Sequence, residues 1–203
     1  PSSTHLSLNN QLSDKYGKTQ KPSKEMNGIW YLLKCPKGAE TEYAQACQNL
    51  AAREEGILQE VLCFQYQRMM RYGGGWHLER RTLLPGCIFL SGTGAVMDRY
   101  SRGEWCKGRS MSIIPCRRPY MKEICPQNEV IAMSKGIIRN GRVIVTDGPL
   151  EGRERLIVKV DRHKRTAQVE FPFETGNMKA VVGLEIYQKE IELNMKREKN
   201  NDE

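Results

Sequence analysis

Arg142-Val-Ile-Val-Thr-Asp147, Gly148-Pro149-Leu150-Glu151-Gly152, Leu156-Ile-Val-Lys-Val160, Asp161-Arg162-His163-Lys164-Arg165 and Ala167-Gln-Val-Glu-Phe171 follow one another along residues 142–171. Three runs of β character are joined by two turns. The first turn is built on Gly and Pro. The second carries four consecutive residues that are or can be cationic, Arg162 to Arg165. Leu156, Val158 and Val160 alternate with Ile157 and Lys159, and Ala167, Val169 and Phe171 continue the inward row. With residues 178–187 as a last strand, about 50 residues of short strands and turn signals close as a small barrel. The β-branched residues and Gly148-Pro149 argue against a helical form of this unit.

The inward rows force the connection at residues 162–165 out into solvent. Repulsion among Arg162, His163, Lys164 and Arg165 stabilises nothing in the fold, and an anionic partner relieves it. Arg and Lys neutralise phosphates, and Arg also stacks on or forks to a base in looped RNA. A hairpin tip kept soluble by charge is the competing interpretation, and the residues alone leave both open. Arg142, Arg153, Arg155 and Lys159 add charge to the same unit.

Upstream, the pattern changes. Ile29-Trp30-Tyr31-Leu32-Leu33 reads as a strand after Gly28. Residues 40–55 read as a helix, with Ala44, Cys47, Leu50 and Ala51 at helical spacing, Glu40 and Glu42 at its positive end, and Gly56 as a stop. Residues 60–70 return to β character, Gly73-Gly74-Gly75 turns the chain, and residues 76–84 come back as a hairpin strand. Pro85-Gly86 precedes a short apolar strand, residues 87–90. This order predicts an α+β domain with a helix packed on a sheet. Trp30, Tyr31, Phe64, Leu83, Leu84, Ile88 and Phe89 are more apolar groups than one short helix covers. Most are expected in the core, and a sheet with a helix on one side can leave an exposed apolar patch at its other surface. Residues 95–102 are expected as a short helix, Ser112-Ile113-Ile114-Pro115 as an edge strand, and residues 119–125 as a second helix. Between Arg99 and Lys122, seven Lys or Arg stand against one acid, Glu104. Nucleic-acid contact and a solvated charged face are both open for this segment.

The domain boundaries follow: a disordered tail over residues 1–27, a first domain over 28–134, a linker over 135–141, the barrel over 142–188 and a polar tail over 189–203. No internal repeat is visible. The 203-residue chain is 39% hydrophobic and 28% charged, with net charge +8. A basic balance favours polyanionic partners. The N-terminal stretch lacks the apolar core of a signal peptide and no run reaches membrane-span length, so a cytoplasmic protein without membrane contact is expected. The seven cysteines are scattered without a CxxC pair, which predicts free thiols and no metal. The chain lacks GxSxG, GxxxxGK[ST] and HExxH motifs. Its three histidines, His5, His77 and His163, pair with no nucleophile in sequence, so neither catalysis nor a cofactor is expected.

Trp30-Tyr31, Lys37-Gly38-Ala39-Glu40 opening a helix, the Arg68-Met-Met-Arg71 hairpin and Leu84-Pro85-Gly86 before an apolar strand resemble the N-terminal domain of the NusG family of transcription elongation and antitermination factors. Residues 142–171 resemble the KOW motif of the same family. The likeness covers residues 29–189 in matching domain order. Gly148-Pro149-Leu150, Ser134-Lys135-Gly136-Ile137-Ile138 and residues 159–165 are most similar to its specialised LoaP branch. The resemblance implies a sheet with packed helices followed by a small SH3-like KOW barrel. It implies a monomer that docks on the β′ clamp helices of RNA polymerase through Trp30, Tyr31, Leu84, Pro85 and Phe89. It also implies contact with nascent RNA, such as a leader hairpin, through Arg153, Lys159, Arg162, His163, Lys164 and Arg165, with Arg117 and Arg118 next in line. Cys87 departs from the pattern, since the family carries an aromatic directly after Pro-Gly. General family members use the barrel for protein partners, and a ribosome-associated KOW protein is the alternative of another class.

Overall fold

A computed structural model describes residues 29–53, 58–93, 111–125, 127, 129–174 and 176–190. The expected tail at 1–27 and the expected helix at 95–102 lie outside the described residues. Of the tail expected at 189–203, Lys189 and Glu190 are instead the end of a strand, and the remainder lies outside the described residues. The architecture is mostly β, with few helices and several sheets, in a mixed α+β arrangement.

The first sheet has the order β2-β5-β1-β6, formed by β1 (Ile29–Lys34), β2 (Leu58–Leu62), β5 (Cys87–Gly92) and β6 (Ser112–Cys116). Every pairing in it is antiparallel. The apolar, β-branched and aromatic character of β1 and β5 suits its two central places. β6 is an edge, where Pro115 is tolerated because its missing N–H costs no ladder bond on the open side. Alternation along β1 divides the core. Tyr31 and Leu33 join Ile88, Leu90 and Ile113 under α1 (Glu40–Arg53), which contributes Ala44 and Cys47. Trp30, Leu32 and Phe89 face the other way.

The single run read at residues 60–70 is two strands. Cys63 and Phe64 lie between β2 and β3 (Gln65–Tyr72), and the two strands belong to different sheets. Glu129 fixes this break: its Oε2 accepts from the Cys63 N–H at 2.6 Å, and its carbonyl accepts from the Gln65 N–H at 2.7 Å. β3 forms a hairpin with β4 (Gly75–Thr82) and pairs in parallel with the two-residue β7 (Val130–Ile131). The helix expected at 119–125 is a single turn, Met121–Ile124, whose Met121 and Ile124 are buried.

The C-terminal sheet has the order β10-β11-β12-β8-β9. It comprises β8 (Ser134–Arg139), β9 (Arg142–Asp147), β10 (Ile157–Asp161), β11 (Thr166–Phe173) and β12 (Gly176–Glu190). The stretch 135–141, read as a linker, is mostly the strand β8. The fifteen residues of β12 serve two ladders in succession: Gly176 to Gly183 pair with β11, and Leu184 to Glu190 with β8. Ala167, Val169 and Phe171 are buried as their alternation requires. The row Leu156, Val158, Val160 is not continuous. The β10–β11 register slips between Ile157 and Lys159, a bulge that turns Val158 to solvent at 61% exposure. Leu156 is buried from a short 3-10 turn, Glu154–Leu156.

The two parts of the chain share one apolar cluster. Trp30, Leu32, Phe64, Tyr66, Leu84, Phe89 and Met121 belong to it together with Val145, Val169, Phe171, Val182 and Leu184. Phe89 meets Phe173 edge-on at 6.5 Å, and Tyr120 lies 6.4 Å from Phe171. Gly183 lets β12 come close to β3, since a Cβ there would collide with the Gln67 carbonyl and Met133 Sδ. The Met133 N–H donates to Gln67 Oε1 at 3.2 Å.

One buried carboxylate ties the start of α1 to a distant turn. Glu40 Oε1 accepts from the N–H of Gly86 at 2.6 Å, and both its oxygens accept from the N–H of Gly38 at 3.0 Å. Gly86 has φ +82, and a Cβ there would stand 2.9 Å from the Cys35 carbonyl, so only glycine suits the turn. Burial raises the pKa of the Glu40 carboxyl, but the N–H groups of Gly38, Glu40 itself and Gly86 together hold it below its ordinary value. Replacing Glu40 with Ala leaves the buried Gly86 N–H unpaired and is expected to cost about 1–3 kcal/mol in urea denaturation at neutral pH. The carboxylate stabilises above its unfolded-state pKa, and this is lost as pH falls through the lowered folded value. The gap between wild type and variant should therefore narrow on acidification. A gap that is independent of pH would show that the charge contributes nothing.

Candidate nucleic-acid interface

The cationic turn between β10 and β11 is held by its own backbone. Asp161 Oδ1 accepts from the Lys164 N–H at 2.9 Å, and the Arg165 N–H reaches the Arg162 carbonyl at 3.4 Å. Arg165 closes the turn with φ +51, a left-handed conformation that a non-glycine residue adopts at a cost. Its carbonyl then accepts from the Leu184 N–H at 3.0 Å, which fastens the turn to β12. The bond from the Lys164 N–H holds the Asp161 carboxyl below its ordinary value, against slight desolvation and with help from the Lys164 and His163 charges.

The six residues expected to touch RNA fall into three groups. Arg162, His163 and Lys164 are exposed on the turn, and Lys159 is exposed on β10. Lys164 sits 3.7 Å from Asp161 Oδ2, whereas Arg162 and Lys159 have no ion-pair partner among the described residues. Arg165 is only partly exposed. Its Nη1 pairs with Glu185 Oε1 at 2.9 Å, and its guanidinium lies over the Trp76 ring, 3.8 Å from the centroid. Arg153 stands apart: it donates to the carbonyls of Pro149 and Glu151 at 3.4 and 3.3 Å and so holds the Gly148-Pro149 turn. That turn docks closely. The Leu150 N–H donates to the buried Ser134 Oγ at 3.1 Å, and Gly148 has φ +96 with Ser134 Cα where a Cβ would go.

A groove of about 750 Å³ runs between the turn and the second half of β12. Lys159, Arg162, His163 and Arg165 line one side, and Glu185, Ile186 and Tyr187 the other. Tyr187 is 58% exposed. The sequence pattern marks neither Tyr187 nor Trp76. The one available signal is an aromatic residue directly after three glycines, Trp76.

The five residues assigned to polymerase docking do not share one surface. Trp30, Leu84 and Phe89 are buried in the cluster that also holds Phe171 and Val182, so the expected apolar patch is covered by the C-terminal sheet. Tyr31 lies on the opposite face of β1 with Leu33. Pro85 is exposed on the turn that Glu40 anchors. Of the next basic candidates, Arg118 is exposed and Arg117 approaches Glu174 at 3.6 Å. At the end of the basic segment Lys122 pairs with Glu60, and residues 99–110 lie outside the described residues. None of the six described cysteines forms a disulfide. Burial pushes Cys35, Cys63 and Cys125 up to about 11 and Cys116 to about 12, so these thiols stay protonated at neutral pH. Among the described residues, no helix is long and apolar enough to cross a membrane. No family model and no curated protein matches this chain.

An NMR pH titration of carboxyl carbons should find Asp161 ionising below the unperturbed aspartate value. Its support for the turn is then present above the unfolded-state pKa and lost as pH falls through the lowered one. An ordinary pKa for Asp161 would mean that the turn is not closed by its carboxylate in solution.

Proposed function

We propose that this chain is a non-enzymatic transcription elongation and antitermination factor of NusG type, acting in the cytoplasm. Its C-terminal sheet, an SH3-like KOW barrel, binds nascent RNA through the 162–165 turn. Its N-terminal α+β unit binds RNA polymerase. The observation that carries the RNA half is the division of labour in the turn. Asp161 and Glu185 are engaged in holding it, while Arg162 and Lys159, which have no ion-pair partner among the described residues, stand beside an open groove. Tethering one factor to polymerase and transcript raises its effective concentration at chosen operons. Holding polymerase in its elongating form disfavours pausing and release.

Docking through Trp30, Leu84 and Phe89 requires the C-terminal sheet to move away, because Phe173 packs on Phe89. Charge introduced by Phe173→Glu should loosen this cover and increase co-purification with core polymerase at low salt. Failure of both wild type and variant to co-purify would remove the polymerase half of the proposal.

A specific observation favours a protein ligand as second possibility. Exposed Val158 and Val181 line a shallow hollow of about 270 Å³ on the outer side of the C-terminal sheet. Gel shifts with a leader RNA hairpin and a scrambled control separate the two. Replacing Arg162, Lys164 and Arg165 with Ala should weaken RNA binding and flatten its salt dependence, by a slope of roughly 0.7–0.9 for each phosphate that the variant no longer neutralises. Unchanged affinity would move the RNA site elsewhere, with Arg117 and Arg118 tested next.

A further inference from the structure

The β3–β4 hairpin brings a second set of cations and aromatics to the turn. Residues opposite one another in this ladder share a face, so Arg71 with Trp76, Met69 with Leu78 and Gln67 with Arg80 lie on one side. The Gln67 side chain on this side accepts from the Met133 N–H, and Trp76 is the ring under the Arg165 guanidinium. This face therefore continues the groove beyond Arg165. It remains open at its outer end: Trp76 is 38% and Leu78 55% exposed, and Arg71 and Arg80 are exposed. The hairpin carries four arginines, Arg68, Arg71, Arg80 and Arg81, against one acid, Glu79, which pairs with Arg81 at 2.7 Å.

We propose that a single-stranded polynucleotide runs along the groove from Tyr187 past the 162–165 turn onto Trp76, as a site shared by both parts of the chain. Phosphates sit on Lys159 and Arg162 at the turn and on Arg71 and Arg80 at the hairpin. Unstacked bases stack on the exposed ring of Tyr187 and beside the guanidinium–indole pair of Arg165 and Trp76. The chemistry selects an unpaired strand. A regular duplex hides its base faces, whereas aromatic platforms flanked by cations recognise any base that is splayed out. A groove of about 750 Å³ is within the roughly 300–1,000 Å³ typical of ligand sites, room for a nucleotide but not for a helix. The acids nearby do not oppose this, since Glu185 pairs with Arg165 and Asp161 with the turn. The proposal rests on the nucleic-acid interpretation of the turn, and it adds the ligand's strandedness and the aromatic contacts.

The test uses the full chain with fluorescent single-stranded RNA and DNA oligonucleotides of one sequence and with the RNA duplex. Single strands should bind at least roughly 10-fold tighter than duplex. Tyr187→Ala and Trp76→Ala should each weaken single-strand binding roughly 5-fold or more and leave duplex binding unchanged. Tyr187→Phe, which keeps the ring, should bind like wild type and so control for folding. A preference for RNA over DNA would place the natural ligand among transcripts, and equal affinity would admit a displaced DNA strand; either supports the site. Weaker binding in Arg162→Ala with no change in the two aromatic variants would overturn the shared stacking site while keeping RNA contact at the turn. No binding of any oligonucleotide by wild type would remove both.

Discussion

The rest of the structure depends on the seam where β12 lies against β3. Gly183 has no side chain, so the C-terminal sheet approaches the Gln67 carbonyl more closely than any other residue would allow. That approach lets Phe173 reach Phe89 and Phe171 reach Tyr120. It also sets Arg165 over Trp76. Fully burying a large apolar side chain contributes about 1.5–3 kcal/mol, and several such groups from each part lie in the common cluster. A single arginine–aromatic contact contributes about 0.5–1 kcal/mol at an exposed site. Packing at the seam therefore decides where the turn sits, and the Arg165–Trp76 contact follows from it.

The seam has two functional consequences. It hides Trp30, Leu84 and Phe89, which belong to the proposed polymerase-docking set. It also joins the turn to the hairpin in one basic, aromatic surface. These two roles compete if the sheet swings away on polymerase, because the shared groove then opens. Binding of a polynucleotide across both parts would favour the closed arrangement, and binding of polymerase to the covered face would favour an open one.

Much of the local structure is legible in the residues. The strands at Ile29–Lys34 and Cys87–Gly92, the helix from Glu40 and the edge strand at Ser112–Cys116 carry their periodicity and their breaks in the chain itself. The cationic turn is legible too, because alternation on both flanks leaves it nowhere else to point. What escapes depends on distant partners. The division between β2 and β3 is made by Glu129, 66 residues from Cys63. The bulge at Val158 reflects the register against β11, since Val itself suits either face. The seam needs a glycine at 183 opposite a backbone carbonyl at 67, and no periodicity within either strand encodes that. Adjacency in sequence groups Trp30 and Tyr31 as one patch, whereas strand geometry sends neighbours to opposite faces.

Amide hydrogen exchange of the full chain, alone and with a single-stranded RNA, tests the shared surface most directly. The account predicts slowed exchange on binding at residues 159–165 and 185–187 and, in the same complex, at 76–80 on the hairpin. Slowing confined to 159–165, or absent from both parts, would contradict it.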